Sequence, residues 1–147
     1  MAKLRLTKIF NFEAAHALCN YDGMCKNIHG HSYKLHITIT GEQNNDKNSP
    51  KYGMVLDFSI LKDIVNNKIL NQFEHSLILN KEQNIDFISD NKLSDRIITV
   101  HFQPTAENLT LHFVEILKNN LPPNIQLFSV KLYETESSFA EWYRDDN

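Results

Sequence analysis

Two histidines flank a glycine in the segment Cys25-Lys26-Asn27-Ile28-His29-Gly30-His31. Residues two apart on an extended strand point the same way, so the His29 and His31 imidazoles can meet at one point. Gly30 between them leaves room for a ligand to approach the backbone. His16 stands just past an earlier alternating segment, Leu4 to Phe12. If the two segments pair as a hairpin, His16 falls beside His29 and His31. Three imidazoles without a fourth protein ligand suit a catalytic zinc ion, which keeps a position open for water or substrate. Two other readings stay open on spacing alone. An H-x-H pair is also what two hydrogen-bonded surface histidines look like. Cys25, four residues before His29, permits a four-ligand structural site. The cysteines are Cys19 and Cys25, and in a reducing cytosol each is a buried thiol, a ligand or a nucleophile rather than half of a disulfide. His36 has the opposite parity to His29 and His31 and is expected to face solvent. His101 and His112 have no evident partner and read as structural or exposed.

Carboxylates form the second group. Glu134 shares its parity with Phe128, Val130 and Leu132. A carboxylate that continues an apolar face costs free energy unless something binds it; the alternative is a strand that ends early and leaves Glu134 in water. Glu107 falls in the first turn of a helix beginning at Pro104-Thr105, where an acid favours the helix dipole and supports the cap. His75 follows Glu74 at the end of an earlier helical pattern, and a histidine is favourable there too.

These residues need elements to hold them. Residues 4–12 and 31–40 alternate and read as half-buried strands. The polar stretch from Gly41 to Gly53 reads as a loop. Asp57 looks like an N-cap, and Phe58, Leu61, Ile64, Val65 and Ile69 follow at helical spacing, fading near Phe73. Residues 80–95 are polar and irregular, and Ile97, Ile98 and Val100 suggest a short extended segment. Leu109, Phe113, Ile116 and Leu117 form the stripe of the second helix, which Pro122-Pro123 stops. Further strands are expected at about Ile125–Glu134 and Phe139–Tyr143. The order β-β-α-α-β-β predicts an α+β fold, with an antiparallel four-stranded sheet and two helices on one face.

The totals set bounds. A chain of 147 residues with 41% hydrophobic and 22% charged residues suits one domain, residues 1–147. A net charge of −3 without a basic stripe argues against nucleic acid as the main partner. No apolar run approaches a membrane helix, and the N-terminal residues lead into an alternating pattern rather than a signal-peptide core. A cytoplasmic protein is expected.

Six segments, in order, give a resemblance: Phe12-Glu13-Ala14-Ala15-His16; Cys25-x3-His29-Gly30-His31; Gly53-Met54-Val55-Leu56-Asp57-Phe58; His75 with Leu79-Asn80; Pro104-Thr105-Ala106-Glu107-Asn108; and Tyr133-Glu134-Thr135. In these the chain resembles the 6-pyruvoyl tetrahydropterin synthase / 6-carboxytetrahydropterin synthase family. The resemblance implies a tunnelling fold (T-fold), commonly a homohexamer of two stacked trimers with active sites at subunit interfaces. It implies zinc on His16, His29 and His31, Cys25 as an acid/base thiol, His75 as its catalytic companion and Glu134 as the pterin anchor. Thr105 and Glu107 would lie on the substrate side. The substrate implied is 7,8-dihydroneopterin triphosphate. Three residues between the cysteine and the H-x-H look like the bacterial queuosine-pathway branch, a lyase that forms 6-carboxy-5,6,7,8-tetrahydropterin with loss of acetaldehyde and triphosphate. The alternatives are the pyruvoyl-forming synthase and a non-catalytic pterin- or zinc-binding protein. Glu74 departs from the family pattern, which has Asp before the catalytic histidine. Lys26, Lys51 and Arg96 are candidates for the triphosphate by loop position.

Overall fold

A computed structural model describes residues 1–147. The alternating segments form two long strands, β1 (Lys3–Ala17) and β2 (His29–Glu42). They pair antiparallel without interruption, from Lys3 opposite Glu42 to His16 opposite His29. Phe10 and Phe12 of β1 and Tyr33, Leu35, Ile37 and Ile39 of β2 are buried on one face, as their parity requires. The opposite face carries Thr7 and Thr38, whose hydroxyls hydrogen-bond at 2.7 Å, and Ser32, which donates to Glu13 at 2.7 Å.

The buried face is covered by two helical runs. The first comprises α1 (Phe58–Val65), a π turn (Asn66–Leu70) and α2 (Asn71–Phe73). Asp57 caps it, accepting from the Ser59 N–H at 2.9 Å. Its buried residues Leu61, Val65, Ile69 and Phe73 repeat every fourth position. Strict fours drift by about 40° per step around an α-helix; the wider π turn absorbs part of that drift and keeps all four on the sheet. The second run is α4 (Ala106–Lys118), which buries Leu109, Phe113, Val114 and Leu117. Sheet and helices share a core of 22 buried residues. The short α3 (Asp86–Asp90) belongs to a separate small cluster of Ala17, Leu77 and Leu79, against which Ile85 and Ile88 pack.

The sheet departs from the expected four antiparallel strands. It has six, in the order β4-β3-β1-β2-β5-β6, and it is mixed. Strand β3 (Ser76–Asn80) runs parallel to β1, and β4 (Ile97–Val100) runs parallel to β3. Leu77, Ile78 and Leu79 of β3 are all buried, so both faces are covered and no alternation exists to reveal the strand. Strands β5 (Gln126–Thr135) and β6 (Ser138–Tyr143) add antiparallel to β2. No helix is long and apolar enough to cross a membrane.

Two irregularities in β5 matter. Thr38 pairs with Ser129 and Ile39 with Leu127, which leaves Phe128 unpaired. The bulge turns Phe128 away from the main core, beneath the Arg5 guanidinium at 3.7 Å and beside Tyr143. Phe128 therefore does not share a face with Val130, Leu132 and Glu134, as simple alternation predicts. The second irregularity falls between Tyr133 and Thr135, at Glu134.

Candidate metal centre

The last rung of the β1–β2 ladder sets His16 opposite His29, and the preceding in-facing rung sets Ala14 opposite His31. Small Ala14 leaves space beneath the imidazoles, and the three rings meet at centroid separations of 4.6, 5.1 and 4.9 Å. One ligand nitrogen from each lies within 4.8 Å of the others. The hairpin expected from sequence thus brings His16, His29 and His31 together. Cys25 does not join the cluster.

Hydrogen bonds decide the tautomers. His16 Nδ1 lies 2.7 Å from the Pro104 carbonyl oxygen, and His29 Nδ1 lies 2.7 Å from that of Asn27. A carbonyl only accepts, so both rings carry hydrogen on Nδ1 and a lone pair on Nε2. Those two Nε2 atoms face each other at 3.0 Å. Two lone pairs at that distance repel unless a cation or a proton lies between them. The buried His31 Nε2 has no hydrogen-bond partner; Glu134 Oε1 is 3.2 Å away but off the line a hydrogen bond needs. Three orphaned imidazole nitrogens aimed at one place fit a divalent metal ion, and imidazole is a preferred ligand of zinc among others. The carbonyls on Nδ1 are the orienting outer partners such a site needs.

Burial pushes the His16 and His31 imidazoles below the usual histidine value, outweighing the opposite pull of the Glu134 carboxylate on both and of the Pro104 carbonyl on His16. Neutral imidazole is the form that binds a metal. Tyr33, fully buried beside the cluster, has its phenol pushed upward by burial and then by Glu134, and stays neutral. Glu134 is only a quarter exposed, and it stands at the bulge that re-aims side chains near the end of β5.

The remaining expected residues are placed as follows. Cys25 is half-buried in a 3-10 turn (Met24–Lys26) of the loop joining β1 to β2. Its carbonyl accepts from the Leu18 N–H at 2.9 Å. Gln103, which sequence reasoning passed over, clamps the same loop: its side-chain Oε1 accepts from the Cys19 N–H at 3.0 Å and its Nε2 donates to the Cys19 carbonyl at 2.7 Å. An amide side chain ahead of a helix start carries no sequence signal for this role, because its partner is 84 residues away. Thr105 caps α4, accepting from the Asn108 N–H at 3.2 Å, and Glu107 is exposed in the first turn.

Glu74 and His75 form a pair, with Oε1 and Nδ1 2.5 Å apart. The longer side chain of Glu therefore still reaches the histidine. The pair is not part of the histidine cluster. His75 lines a cleft of about 480 Å³ with Glu13, Ala15, Gly30 and Ser32, to which His31 also contributes. A Cβ at Gly30 would meet only the Ala14 carbonyl, at 3.7 Å, so the chain itself does not require glycine there.

Lys51 ion-pairs with Asp57, which it and Ser59 hold well below the usual carboxylate range. It lies beyond the far end of β2, whose 14 residues span roughly 40 Å at strand rise. That excludes Lys51 from the histidine end of its own chain. Lys26 is exposed beside Cys25. His36 is only partly exposed, contrary to expectation: its ring rests on Tyr133 at 5.1 Å and its Nε2 is sealed from solvent. His101 is exposed, and His112 packs among Phe73, Phe102 and Phe113.

Known proteins share this arrangement of chain. A 6-carboxy-5,6,7,8-tetrahydropterin synthase of Haemophilus influenzae is 36% identical over 142 residues, covering 94% of this chain and 97% of its own. The structure of Caenorhabditis elegans 6-pyruvoyl tetrahydropterin synthase superposes with a TM-score of 0.68 at 25% identity, over 97% of this chain and 96% of that one. An uncharacterized protein of Wolinella succinogenes has the same fold, with a TM-score of 0.81 at 19% identity over 98% and 99% of the two chains. The sequence profile described as 6-pyruvoyl tetrahydropterin synthase matches residues 5–145, and with it the chain belongs to that family.

Proposed function

We propose that the protein is a zinc-dependent lyase that converts 7,8-dihydroneopterin triphosphate and a water molecule to 6-carboxy-5,6,7,8-tetrahydropterin, releasing acetaldehyde and triphosphate, in the cytoplasmic synthesis of queuosine-type 7-deazapurines. The observation that carries the reading is the convergence of three orphaned imidazole nitrogens beside a half-buried carboxylate, Glu134. The name of the Haemophilus relative and the three-residue gap between Cys25 and His29 favour the carboxy product.

His16, His29 and His31 would hold the zinc. When bound, zinc supplies Lewis-acid polarisation of the substrate's side-chain hydroxyls. Glu134 offers two acceptor oxygens to the N–H and exocyclic amine that lie side by side on a pterin edge. Tyr33, kept neutral, and the carbonyls of Pro104 and Asn27 hold the imidazoles in register. In the reaction the pterin ring is reduced while its side chain is oxidised and cleaved, so protons must leave the side chain and arrive at the ring. That calls for a base and an acid working near neutrality. Cys25 is the proposed base, since a thiol ionises readily beside a metal or an imidazolium. His75 is the opposing acid: Glu74 lies against its Nδ1 as the ion-pair partner of the protonated ring, which leaves the Nε2–H to give up the proton. Because the Glu74–His75 pair lies outside the histidine cluster of its own chain, the reading includes a homo-oligomer, a hexamer of two trimers, in which neighbouring copies complete each site.

The test is product analysis with purified protein, zinc and dihydroneopterin triphosphate. Acetaldehyde together with a carboxypterin supports the reading. A pyruvoyl side chain, read by mass spectrometry, would move the protein to the other branch, to which the Caenorhabditis neighbour belongs by name. Cys25→Ala should keep zinc and lose about 10²–10⁴-fold in turnover; lost zinc would show the cysteine to be a ligand, and unchanged properties would favour a binding protein.

A further inference from the structure

Arg96 stands directly before β4 and is exposed, which at first sight leaves it free for an anion. Its hydrogen bonds say otherwise. Nε donates to the Glu74 carbonyl at 3.0 Å, and Nη2 donates to the carbonyls of Asn71 at 2.9 Å and Gln72 at 3.3 Å. These carbonyls belong to the last turn of the first helical run and its cap, where intrahelical donors run out and the dipole is negative. The backbone carbonyl of Arg96 in turn accepts from the Leu77 N–H at 2.8 Å, at the start of β3. One residue thus holds the chain on both sides of Glu74 and His75.

The segment it brackets is strained. His75 adopts a left-handed backbone, φ 55°, which a residue with a Cβ rarely takes. Such a conformation persists only where its surroundings over-determine it. On the β1 side, the His75 N–H donates to the Glu13 carbonyl at 2.7 Å, and the Glu13 N–H donates to Glu74 Oε1 at 3.3 Å. On the other side, Arg96 takes three carbonyls of the helix end from which the pair projects, and the Ser76 hydroxyl donates to a fourth, that of Phe73, at 2.7 Å. The guanidinium fork matches several carbonyls at once; a lysine ammonium, a compact charge on a flexible stem, does not.

We propose that Arg96 is a positioning residue that holds the Glu74–His75 pair in its strained turn and thereby sets the direction of the His75 imidazole. The proposal rests on the reading above that this pair acts at the reaction centre. Arg96 acts through main-chain carbonyls and not on the triphosphate.

The experiment compares wild type, Arg96→Ala and Arg96→Lys as full-length protein loaded with zinc. Amide hydrogen exchange needs no turnover: in both variants the His75 N–H should exchange about tenfold faster, with the amides of β2 unchanged. In the product assay kcat should fall about tenfold in Arg96→Ala with KM within about twofold and zinc content unchanged. Guanidinium at a low, non-denaturing concentration should restore part of that loss. A raised KM with unchanged kcat would make Arg96 a substrate contact and overturn the proposal. Unchanged His75 exchange would overturn it as well, and so would acceleration spread evenly over the sheet in Arg96→Lys. If wild type proves inactive on the pterin triphosphate, the reading of the function fails by itself, and the exchange measurement still decides whether Arg96 holds the turn.

Discussion

Acidification should strip the metal with a steepness that counts its ligands. Each imidazole binds only as the free base, so every ring adds one proton competing with zinc. The cluster has three imidazoles and no thiol. Once the pH lies below the values of all three rings, each further unit should weaken binding by about three powers of ten, a log–log slope of about 3. The onset also follows from the structure. Burial holds His16 and His31 below the ordinary histidine value, so the full slope develops only well below about pH 6.5. The same shifts act on the metal-free fold. The unfolded rings take up protons at higher pH than the folded ones, so this contribution to stability is intact above about pH 6.5 and declines as pH falls toward the folded values. The assay is zinc release to a chromogenic chelator across the acid range, on wild type and on Cys25→Ala. A slope already near 1 above the histidine range that steepens to about 4 below it, and falls to 3 in the variant, would show a thiolate in the site. A slope of 1 or less would refute a three-histidine centre.

Two further outcomes follow from named contacts. Glu134→Gln removes one charge-assisted partner of the pterin edge, worth about 2–3 kcal/mol, so catalytic efficiency should fall roughly 30- to 150-fold, chiefly through KM. It also removes the carboxylate that raises His16 and His31, so zinc should survive to slightly lower pH; earlier release, or unchanged KM, would contradict the assignment. Gln103→Ala breaks both bonds to the Cys19 backbone. Unfolding should lose about 2 kcal/mol, while the turnover that depends on Cys25 falls further than stability does, with zinc retained; thermal melts and the product assay check this, and a change under about 0.5 kcal/mol with full turnover would show the clamp to be incidental.

The histidine cluster was readable from sequence because its logic is local. Period-two alternation set His29 and His31 on one face, and a hairpin was enough to add His16. The helix caps at Asp57 and Thr105 were readable for the same reason, since each is satisfied within three residues. What resisted reading depends on distant chain. β3 is buried on both faces and so has no period. Phe128 changes face because of a bulge set by its partner strand, and nothing in Leu127-Phe128-Ser129 announces it. His36 looked solvent-facing by parity, yet Tyr133 of the neighbouring strand covers it. Arg96, Gln103 and the Pro104 carbonyl act on backbone groups many residues away, where spacing rules are silent.

The exposure of His75 bears on how the proposed machinery is assembled. The imidazoles emerge on the helix-covered face, and one of them, His31, also borders the cleft that His75 lines with Glu13 and Ser32. The strained turn at His75 leaves that ring three-quarters exposed. The outermost strands, β4 and β6, are short and unpaired on their outer sides. Such edges can extend a sheet into the next copy. Joining sheets edge to edge is also the movement that could bring one copy's His75 toward another's histidines. Under the proposal that neighbouring copies complete each site, dilution to monomers should abolish turnover while each chain keeps its three-histidine site; full turnover by monomers would refute it.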